Sequence, residues 1–349
     1  RIPSMETRND PIVCAAQDAF GISYLYPYQR LVVANVLEAD EEKRYQVVVL
    51  PTGSGKTLCF TLPALLLDGL TIIVYPLLAL MDDQRRRIEE AGLRCRTLKG
   101  GQTRAVRETI FGEIDANQVD ALLTNPEMLE QSAVQRRLAK ATISHLVVDE
   151  AHCVSEWGET FRASYLTLKE SIERLAPHVV TAFTATASPL VLRALSAVLF
   201  GDARPHLVRG DPDRPNISYS VIRAASKEGA LVELVRNGLE RPAIVFGRSR
   251  KRVEGVARDV AEIAGFESVA AYHAGLSAYE RAAIERWFFS SRDGILAATC
   301  AYGMGVDKPD IRAVIHYELP TSVEAFLQES GRAGRDRRPA HSIALWNTL

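Results

Sequence analysis

A short glycine-rich stretch carries the residue types that bind phosphate groups. Residues 50–57 read Leu-Pro-Thr-Gly-Ser-Gly-Lys-Thr, after an apolar run at 47–49 and before a helix-prone segment at 58–67. The stretch therefore lies where a strand turns into a helix, and backbone N–H groups and the helix dipole favour an anion there. The residues expected around the nucleotide phosphates are Thr52, Gly53, Ser54, Gly55, Lys56 and Thr57.

Several residues of this loop have a distinct expected role. Gly53 and Gly55 let the backbone curl around one point, because glycine adopts conformations that other residues avoid. Lys56 supplies a mobile positive charge for the β- and γ-phosphates, and the Thr57 hydroxyl is placed to ligate Mg²⁺. The generic pattern G-x-x-x-x-G-K-[ST] begins with glycine where this chain has Leu50, so the loop is a variant.

Two adjacent carboxylates follow another apolar run. Asp149 and Glu150 come directly after the segment His145 to Val148. Asp149 is expected to hold Mg²⁺ through water, and Glu150 to polarise the water that attacks the γ-phosphate. Taken alone, Asp-Glu-Ala-His at 149–152 also fits the start of a solvated helix. Its position downstream of the phosphate loop favours the catalytic interpretation.

Arginines near the C-terminus offer a further positive charge. Residues 328–336 read Gln-Glu-Ser-Gly-Arg-Ala-Gly-Arg-Asp, which places Arg332 and Arg335 around a glycine turn. Phosphoryl transfer needs a cation at the γ-phosphate as charge shifts in the transition state. Standing alone, the segment is more typical of a solvated basic loop that continues into Arg337 and Arg338.

The composition bounds the class of protein. The chain has 349 residues, 47% hydrophobic content and a net charge of -1, so we expect two domains and only local patches for nucleic acid. Its five cysteines are scattered, which predicts a reducing compartment and no zinc site within these residues. Without a long apolar run or a signal peptide, we expect no membrane association and a location in the bacterial cytoplasm or nucleoid.

Short β-branched runs alternate with helix-prone segments, which predicts parallel sheets covered by helices. Residues 12–37 predict two short helices. A segment rich in Pro, Gly and charge at 201–216 predicts the linker, with domains at 1–205 and 206–349. The strand candidates are Thr71–Tyr75, Cys95–Leu98, Ala121–Thr124, His145–Val148, Val179–Thr184, Ala243–Phe246, Ser268–Tyr272, Ile295–Ala298, Ala313–Tyr317 and Ser342–Trp346.

Together these motifs resemble a superfamily-two helicase of the RecQ type, over about Phe20 to Trp346. The most specific segment, 149–162, reads Asp-Glu-Ala-His-Cys-Val-Ser-Glu-Trp-Gly-Glu-Thr-Phe-Arg and resembles a DEAH box running into the aromatic-rich loop of RecQ proteins. Further matching segments are Thr184-Ala-Thr186, Tyr272-His-Ala-Gly275, Ala301 to Pro309 and Gln328 to Asp336.

The resemblance implies two tandem RecA-like domains, each a mainly parallel sheet with helices on both faces. ATP would bind in the cleft between them with Mg²⁺, and single-stranded DNA would lie across both. Arg335 would be the arginine finger, and Asp307 with Gly305 would couple nucleotide to DNA. His152 and Thr184-Ala-Thr186 would carry strain between the sites. The implied catalytic residues are Lys56, Glu150, Gln328, Arg332 and Arg335, and the implied nucleotide contacts outside the loop are Gln29, Asp149 and Asp307.

The aromatic-rich loop has its own physical interpretation. Trp157 is suited to stacking on a base, Phe161 to supporting it and Arg162 to reaching a phosphate. Their spacing, continued by Tyr165, also fits one buried helix stripe, which Gly158 weakens. The other expected DNA contacts are Pro76, Leu77, Thr124, Asn125, Arg248, Ser249 and Arg250.

Two segments depart from the family pattern. Where RecQ-type proteins have an aromatic residue and an arginine ahead of the conserved glutamine, this chain has Ile22 and Tyr26. Gln29 is retained and is suited to pairing with an adenine edge, and we expect Tyr24 or Tyr26 to stack on the base. The second departure is Gly247-Arg248-Ser249-Arg250, where family members more often have Cys-Asn before Ser-Arg.

RecQ proteins commonly continue into a four-cysteine zinc module and a winged helix. This sequence ends at Leu349, so we expect a truncated core or a divergent branch. The resemblance implies a monomeric ATP-dependent DNA helicase and translocase, moving 3′ to 5′ on single-stranded and tailed duplex DNA in recombination or repair. The alternatives are a DEAH-type RNA helicase and a nucleic-acid-binding module that uses ATP only as a switch.

Overall fold

The computed structural model describes residues 10–41, 43–51, 53–76, 78–153, 167–185, 187–210, 213–299, 302 and 308–347. The chain divides into two compact units, Arg1–Asp211 and Pro212–Leu349. Each unit is built on one sheet whose paired strands run parallel, with helices between them.

The first unit has a sheet with the strand order β3-β4-β2-β5-β6-β1-β7. Its strands are β1 (Tyr45–Val49), β2 (Leu70–Val74), β3 (Cys95–Leu98), β4 (Ala121–Thr124), β5 (Ile143–Val148), β6 (Val179–Thr184) and β7 (His206–Arg209). Its described helices are α1 (Pro11–Phe20), α2 (Pro27–Leu37), α3 (Lys56–Leu66), α4 (Leu78–Glu90), α5 (Arg104–Asp115), α6 (Pro126–Leu129), α7 (Ser132–Leu138), α8 (Leu168–Leu175) and α9 (Pro189–Phe200).

The second unit has a sheet with the order β10-β11-β9-β12-β13-β8. Its strands are β8 (Ile217–Arg223), β9 (Ala243–Phe246), β10 (Val269–Tyr272), β11 (Ile295–Ala298), β12 (Ala313–His316) and β13 (Ala340–Trp346). Its described helices are α10 (Lys227–Arg236), α11 (Arg250–Ala264), α12 (Ala278–Ser290) and α13 (Val323–Ser330), with a short 3-10 turn at Phe266–Ser268.

The apolar strands are buried on both faces, as is typical of strands in parallel sheets. Successive residues of a strand point to opposite faces of its sheet. In β9, Ala243 and Val245 pack into one apolar cluster, whereas Ile244 and Phe246 pack into another. Strands with this pattern require helices on both sides of the sheet. The prediction of two α/β domains, each a mainly parallel sheet with helices on both faces, is confirmed.

The predicted linker contains a strand. Within residues 201–216, β7 pairs in parallel with β1, with Val47 opposite Leu207 and Val49 opposite Arg209. The structure therefore divides after Asp211 rather than after residue 205. Three of the four residues of β7 are exposed, so this edge strand lacks the apolar run that marked the central strands in the sequence.

A series of hydrogen-bonded polar side chains crosses the first sheet. The Nδ2 of Asn35 in α2 donates to Oε1 of Gln46 at 2.9 Å, and Gln46 Nε2 donates to Oγ1 of Thr181 at 3.4 Å. Nε2 of His145 in β5 lies 2.9 Å from the same Thr181 oxygen. His145 is fully buried, and this burial lowers the pKa of its imidazole to about 3.

This buried imidazole predicts a pH dependence of stability. The folded protein holds His145 neutral, whereas the unfolded chain binds a proton near the ordinary pKa of 6.5. Stability from this group is thus present above that value and is lost as pH falls toward about 3. Between pH 7 and pH 5 the free energy of unfolding should fall by about 2 kcal/mol more in wild type than in His145→Gln. Urea unfolding at both pH values measures this, and equal losses in the two proteins would contradict it.

Candidate functional site

The glycine-rich loop lies at the carboxyl end of β1 and leads directly into α3. Gly55 precedes the helix with φ of 82°, and Gly53 has φ of 78°. Both values lie in the left-handed region, which glycine adopts without steric cost. Lys56 is the first residue of α3, and the Ser54 hydroxyl tightens the turn by donating to the Pro51 carbonyl at 2.6 Å. The loop therefore has the strand-to-helix position expected of a phosphate cradle.

The lysine of the loop meets the acidic pair across the sheet. Lys56 Nζ lies 3.0 Å from Glu150 Oε1 and 4.0 Å from Asp149 Oδ1. The pair is in place because the Asp149 N–H donates to the Val74 carbonyl at 3.0 Å, which continues the pairing of β5 with β2. Glu150 has φ of 48°, a conformation that costs energy in a residue other than glycine. An incoming phosphate would compete with Glu150 for Lys56.

Asp149 and Thr57 have the donor chemistry of a Mg²⁺ site. Burial raises the pKa of the Asp149 carboxyl above its ordinary value, Lys56 opposes this shift, and the like charge of Glu150 adds to it. The Thr57 hydroxyl donates to Oε1 of Gln84 at 3.4 Å. A hydroxyl and a carboxylate are the hard oxygen ligands that Mg²⁺ prefers. These two residues therefore fit the ion.

His152 connects the acidic pair to the neighbouring strand. Its Nδ1 lies 3.2 Å from Oγ1 of Thr184 at the end of β6 and 3.4 Å from Oε2 of Glu150. The Ala151 N–H donates to the Phe183 carbonyl at 2.8 Å. The structure thus places His152 and Thr184 together, as a link between Glu150 and β6.

Gln29 reaches the phosphate loop. Its Nε2 donates to the Ser54 carbonyl at 2.8 Å, and its Oε1 accepts from the Tyr26 N–H at 3.0 Å. Tyr26 stacks on Tyr28 with ring centroids 5.4 Å apart, and Tyr24 meets Tyr26 edge to face. Both tyrosines that are candidates for stacking on adenine, Tyr24 and Tyr26, therefore belong to one aromatic group beside the loop. The Gln29 amide is hydrogen-bonded to the loop in this structure.

Three of the expected DNA contacts in the first unit lie where neighbouring strands end, at the carboxyl end of the sheet. Pro76 follows β2, and Thr124 ends β4, which pairs with β2. The Thr124 side chain is fully buried and donates to the Leu98 carbonyl at 3.0 Å, so it is a packing group here. Asn125 Nδ2 donates to the Glu127 carboxylate. Its Oδ1 is buried and has no hydrogen-bond partner within the described part of the chain.

The arginine segment begins in the last turn of α13. Gln328 lies in that helix, and Arg332 and Arg335 lie in the turns that follow it. Arg332 is buried, with 3% of its surface exposed, whereas Arg335 is half-buried. Burial raises the pKa of Tyr302, and the positive charge of Arg332 opposes that shift. The three residues expected near the γ-phosphate, Gln328, Arg332 and Arg335, thus lie in the last turn of α13 and the turns that follow it.

A histidine that the sequence analysis did not single out anchors this segment. Nδ1 of His316, at the end of β12, lies 3.0 Å from Oε2 of Glu329. Its Nε2 lies 3.1 Å from the Ser330 hydroxyl, which in turn lies 2.8 Å from the hydroxyl of Ser342 in β13. His316 has no exposed surface. A histidine ending an apolar run was the only signal of this role in the sequence.

The expected DNA contacts of the second unit lie where β9 leads into α11. The Arg248 guanidinium donates to the Leu319 carbonyl at 2.7 Å and 3.0 Å, so it is engaged within the unit. Ser249 caps α11 by accepting from the Arg252 N–H at 3.2 Å. Arg250 is the first residue of that helix and is exposed.

Eight residues with a predicted role lie outside the part of the chain that the structure describes: Thr52, Leu77, Trp157, Phe161, Arg162, Thr186, Gly305 and Asp307. Across the described ranges, no helix combines the length and apolar character needed to cross a bilayer. The same ranges contain no group of three or more His, Cys, Asp or Glu side chains arranged to hold a metal.

Family models match both units. A DEAD/DEAH box helicase model matches residues 26–194, and a helicase conserved C-terminal domain model matches residues 226–337. Among solved structures, the DUF1998 helicase MrfA bound to DNA and AMPPNP is 25% identical, with a TM-score of 0.78 over 99% of this chain and 51% of that chain.

Curated relatives extend the comparison to most of the chain. The probable ATP-dependent DNA helicase RecS of Bacillus subtilis is 38% identical over 332 residues, 93% of this chain and 65% of the relative. The ATP-dependent DNA helicase RecQ of Synechocystis is 33% identical over 333 residues, 92% of this chain and 68% of the relative. This chain thus spans about two thirds of these relatives. With both helicase models matched in order and this identity sustained across both units, the chain belongs to the RecQ-type family of superfamily-two helicases.

Proposed function

We propose that this chain is the core of an ATP-dependent DNA helicase that moves along single-stranded DNA, 3′ to 5′, and separates duplexes with a single-stranded tail. The observation that carries the proposal is the 3.0 Å contact between Lys56 and Glu150. It brings a phosphate-binding lysine together with a carboxylate suited to activating water, in a chain that belongs to a helicase family. The family's relatives are named as DNA helicases.

The chemistry follows from the residues in place. Lys56 exchanges Glu150 for the ATP phosphates, and Glu150 then accepts a proton from the attacking water as the water oxygen bonds to the γ-phosphorus and ADP leaves. Thr57 and Asp149 would hold Mg²⁺, which when bound neutralises charge on the phosphate oxygens.

The positive charge needed in the transition state comes from the arginine segment. Arg335 stabilises charge on the transferred phosphoryl group, with Arg332 and Gln328 beside it. DNA binding uses exposed Arg250 together with the segments around Pro76 and Asn125. Trp157 of the aromatic-rich loop stacks on a base, and Phe161 supports it.

Adenine recognition is a separate part of the proposal. Gln29 exchanges one of its internal hydrogen bonds for the adenine edge, and Tyr26 or Tyr24 stacks on the ring. Gln29→Ala and Tyr26→Ala should each lower the ratio of kcat/KM for ATP over GTP about tenfold, the effect of losing one good hydrogen bond or stack. Steady-state kinetics with both nucleotides measures the ratio, with Arg30→Ala on the same helix as control. An unchanged purine preference in both variants would overturn this assignment.

The nucleic-acid preference separates the proposal from its two alternatives. ATP hydrolysis should be stimulated more by single-stranded DNA than by RNA of the same sequence, and the same preparation should separate a 3′-tailed duplex. Equal or greater stimulation by RNA would favour an RNA helicase. ATP binding with no stimulation by either polymer would favour a switch module. The retention of Lys56, Thr57, Asp149, Glu150 and Arg335 supports hydrolysis.

A further inference from the structure

Arg214, ahead of β8, holds the turn that carries Arg335. Its Nη1 donates to the Gly331 carbonyl at 3.3 Å. Its Nη2 donates to the carbonyls of Ala333 and Gly334, each at 3.0 Å. One guanidinium therefore captures three backbone oxygens of the arginine segment. The planar fork of arginine suits this task, because its donors point in fixed directions.

Asn216 completes the same arrangement. Its Nδ2 donates to the carbonyls of Gly334 and Arg338, each at 2.9 Å. Its Oδ1 lies 3.4 Å from Nε of Arg214. We call Arg214 and Asn216 the clamp. The clamp fixes the backbone just before Arg335 and again three residues after it, so the base of the Arg335 side chain is held on both sides.

The clamp requires glycine at position 334, because a side chain there would collide with Asn216. The φ of Gly334 is 54°, and a Cβ at this position would lie 2.5 Å from Nδ2 of Asn216 and 2.7 Å from the Arg338 carbonyl. Such contacts are shorter than any side chain tolerates without a shift of the backbone. The glycine between Ala333 and Arg335 thus serves the close approach of Asn216 as well as the turn.

The charges of the clamp point beyond a purely structural role. Burial lowers the pKa of Arg214, and the positive charge of Arg335 lowers it further. Two guanidiniums held near each other repel, and partial burial reduces the screening of that repulsion by water. This repulsion is the cost of placing an arginine at position 214. An anion bound by Arg335 would relieve it.

We propose that Arg214 and Asn216 are positioning residues for Arg335, holding its backbone so that its guanidinium meets the γ-phosphate during hydrolysis. This inference rests on the proposed function, in which Arg335 stabilises the transition state. Neither clamp residue needs to touch the nucleotide. The clamp acts through the turn at 331–334, so its loss should affect the chemical step rather than ATP binding.

The test measures kcat and KM for ATP with saturating single-stranded DNA in Arg214→Ala, Arg335→Ala and the double variant. Arg214→Ala should lower kcat by about 10-fold to 100-fold, with KM changed by less than about threefold, because a small misplacement of a catalytic group has this effect. The double variant should be no slower than Arg335→Ala alone, since both changes remove one function. Arg214→Lys should recover only part of the loss, because one ammonium cannot reach three carbonyls in this geometry.

Matched variants keep the test decisive. Arg236→Ala removes an exposed guanidinium of the same unit and should leave kcat unchanged. Thermal unfolding checks that each variant folds. If Arg214→Ala does not fold, Asn216→Ala provides the milder change, with about a tenfold loss expected from the same displacement of the turn.

The outcomes separate this inference from the function on which it rests. The clamp proposal would be overturned by a wild-type kcat in folded Arg214→Ala. It would also be overturned if the loss of kcat in the double variant equalled the product of the two single losses. In either case, a slow Arg335→Ala would still support Arg335 as the arginine finger. Wild-type hydrolysis in Arg335→Ala would overturn the finger assignment, and the clamp with it.

Discussion

Replacing Glu150 with glutamine should lower ATP turnover by about 10³-fold or more, within the range that general bases contribute. Glutamine keeps the size of the side chain and an oxygen that accepts from Lys56, which lies 3.0 Å from the carboxylate. It cannot take the proton of the attacking water at neutral pH. The variant should therefore bind ATP but not hydrolyse it. Steady-state turnover with saturating single-stranded DNA, together with binding of a fluorescent ATP analogue, measures both properties.

The control for this variant is Glu173→Gln. Glu173 is an exposed carboxylate in α8 of the same unit, paired with Lys169 one helical turn earlier. Removing its charge should leave turnover unchanged, because exposed ion pairs contribute little. Turnover near the wild-type rate in Glu150→Gln would show that another group activates the water.

Arg335→Ala should lower kcat by about 10³-fold, the lower end of the effect of an arginine that stabilises transferred phosphate. Its guanidinium is the group proposed to meet the charge that develops on the γ-phosphate. Arg335→Lys should remain well below wild type, because an ammonium cannot donate in the forked geometry of arginine. Single-turnover hydrolysis of prebound ATP isolates this step from ATP binding.

An exposed arginine of the same unit, Arg236, provides the matched control for the loss of positive charge. Arg236→Ala should hydrolyse ATP at the wild-type rate. A single-turnover rate within about twofold of wild type in Arg335→Ala would be far smaller than a finger requires. The transition-state charge would then have to be assigned to Arg332 or another cation.

The central strands could be predicted because they are continuous apolar runs. Ala121–Thr124, Val179–Thr184, Ala243–Phe246 and Ile295–Ala298 have the bounds that the sequence indicated, and so does the edge strand Cys95–Leu98. The edge strands β7 and β8 were missed, because most of their residues are exposed. In β8, Tyr219 and Val221 remain exposed, so the strand is fixed by its pairing with β13 rather than by an apolar face.

The meeting of Lys56 with Glu150 was predictable from motif order, although the residues are 94 positions apart. Both follow strands that flank β6 in the sheet, so their carboxyl ends share one edge. The contact of Gln29 with the Ser54 carbonyl and the Arg214 clamp was not predictable. Each joins a side chain to a distant backbone oxygen, and backbone acceptors leave no trace in residue type.

Hydrogen bonds to backbone oxygens also explain why two residues that were expected to contact DNA are engaged within the protein. Thr124 follows an apolar strand in the way that a ligand-binding residue would, yet its hydroxyl donates to the Leu98 carbonyl. Arg248 carries a charge suited to phosphate, yet its guanidinium donates to the Leu319 carbonyl. Sequence spacing placed these residues at the correct ends of their strands but could not show the partner of each side chain.

The most direct test of the proposed motor is ATP-driven displacement of streptavidin from single-stranded DNA that carries biotin at one end. A protein that moves 3′ to 5′ pushes toward the 5′ end. We predict rapid displacement from 5′-biotinylated DNA, slow displacement from 3′-biotinylated DNA, and none with the Glu150→Gln variant. ATP hydrolysis at its DNA-stimulated rate without faster displacement from either end would contradict the account, because hydrolysis would then not be coupled to movement.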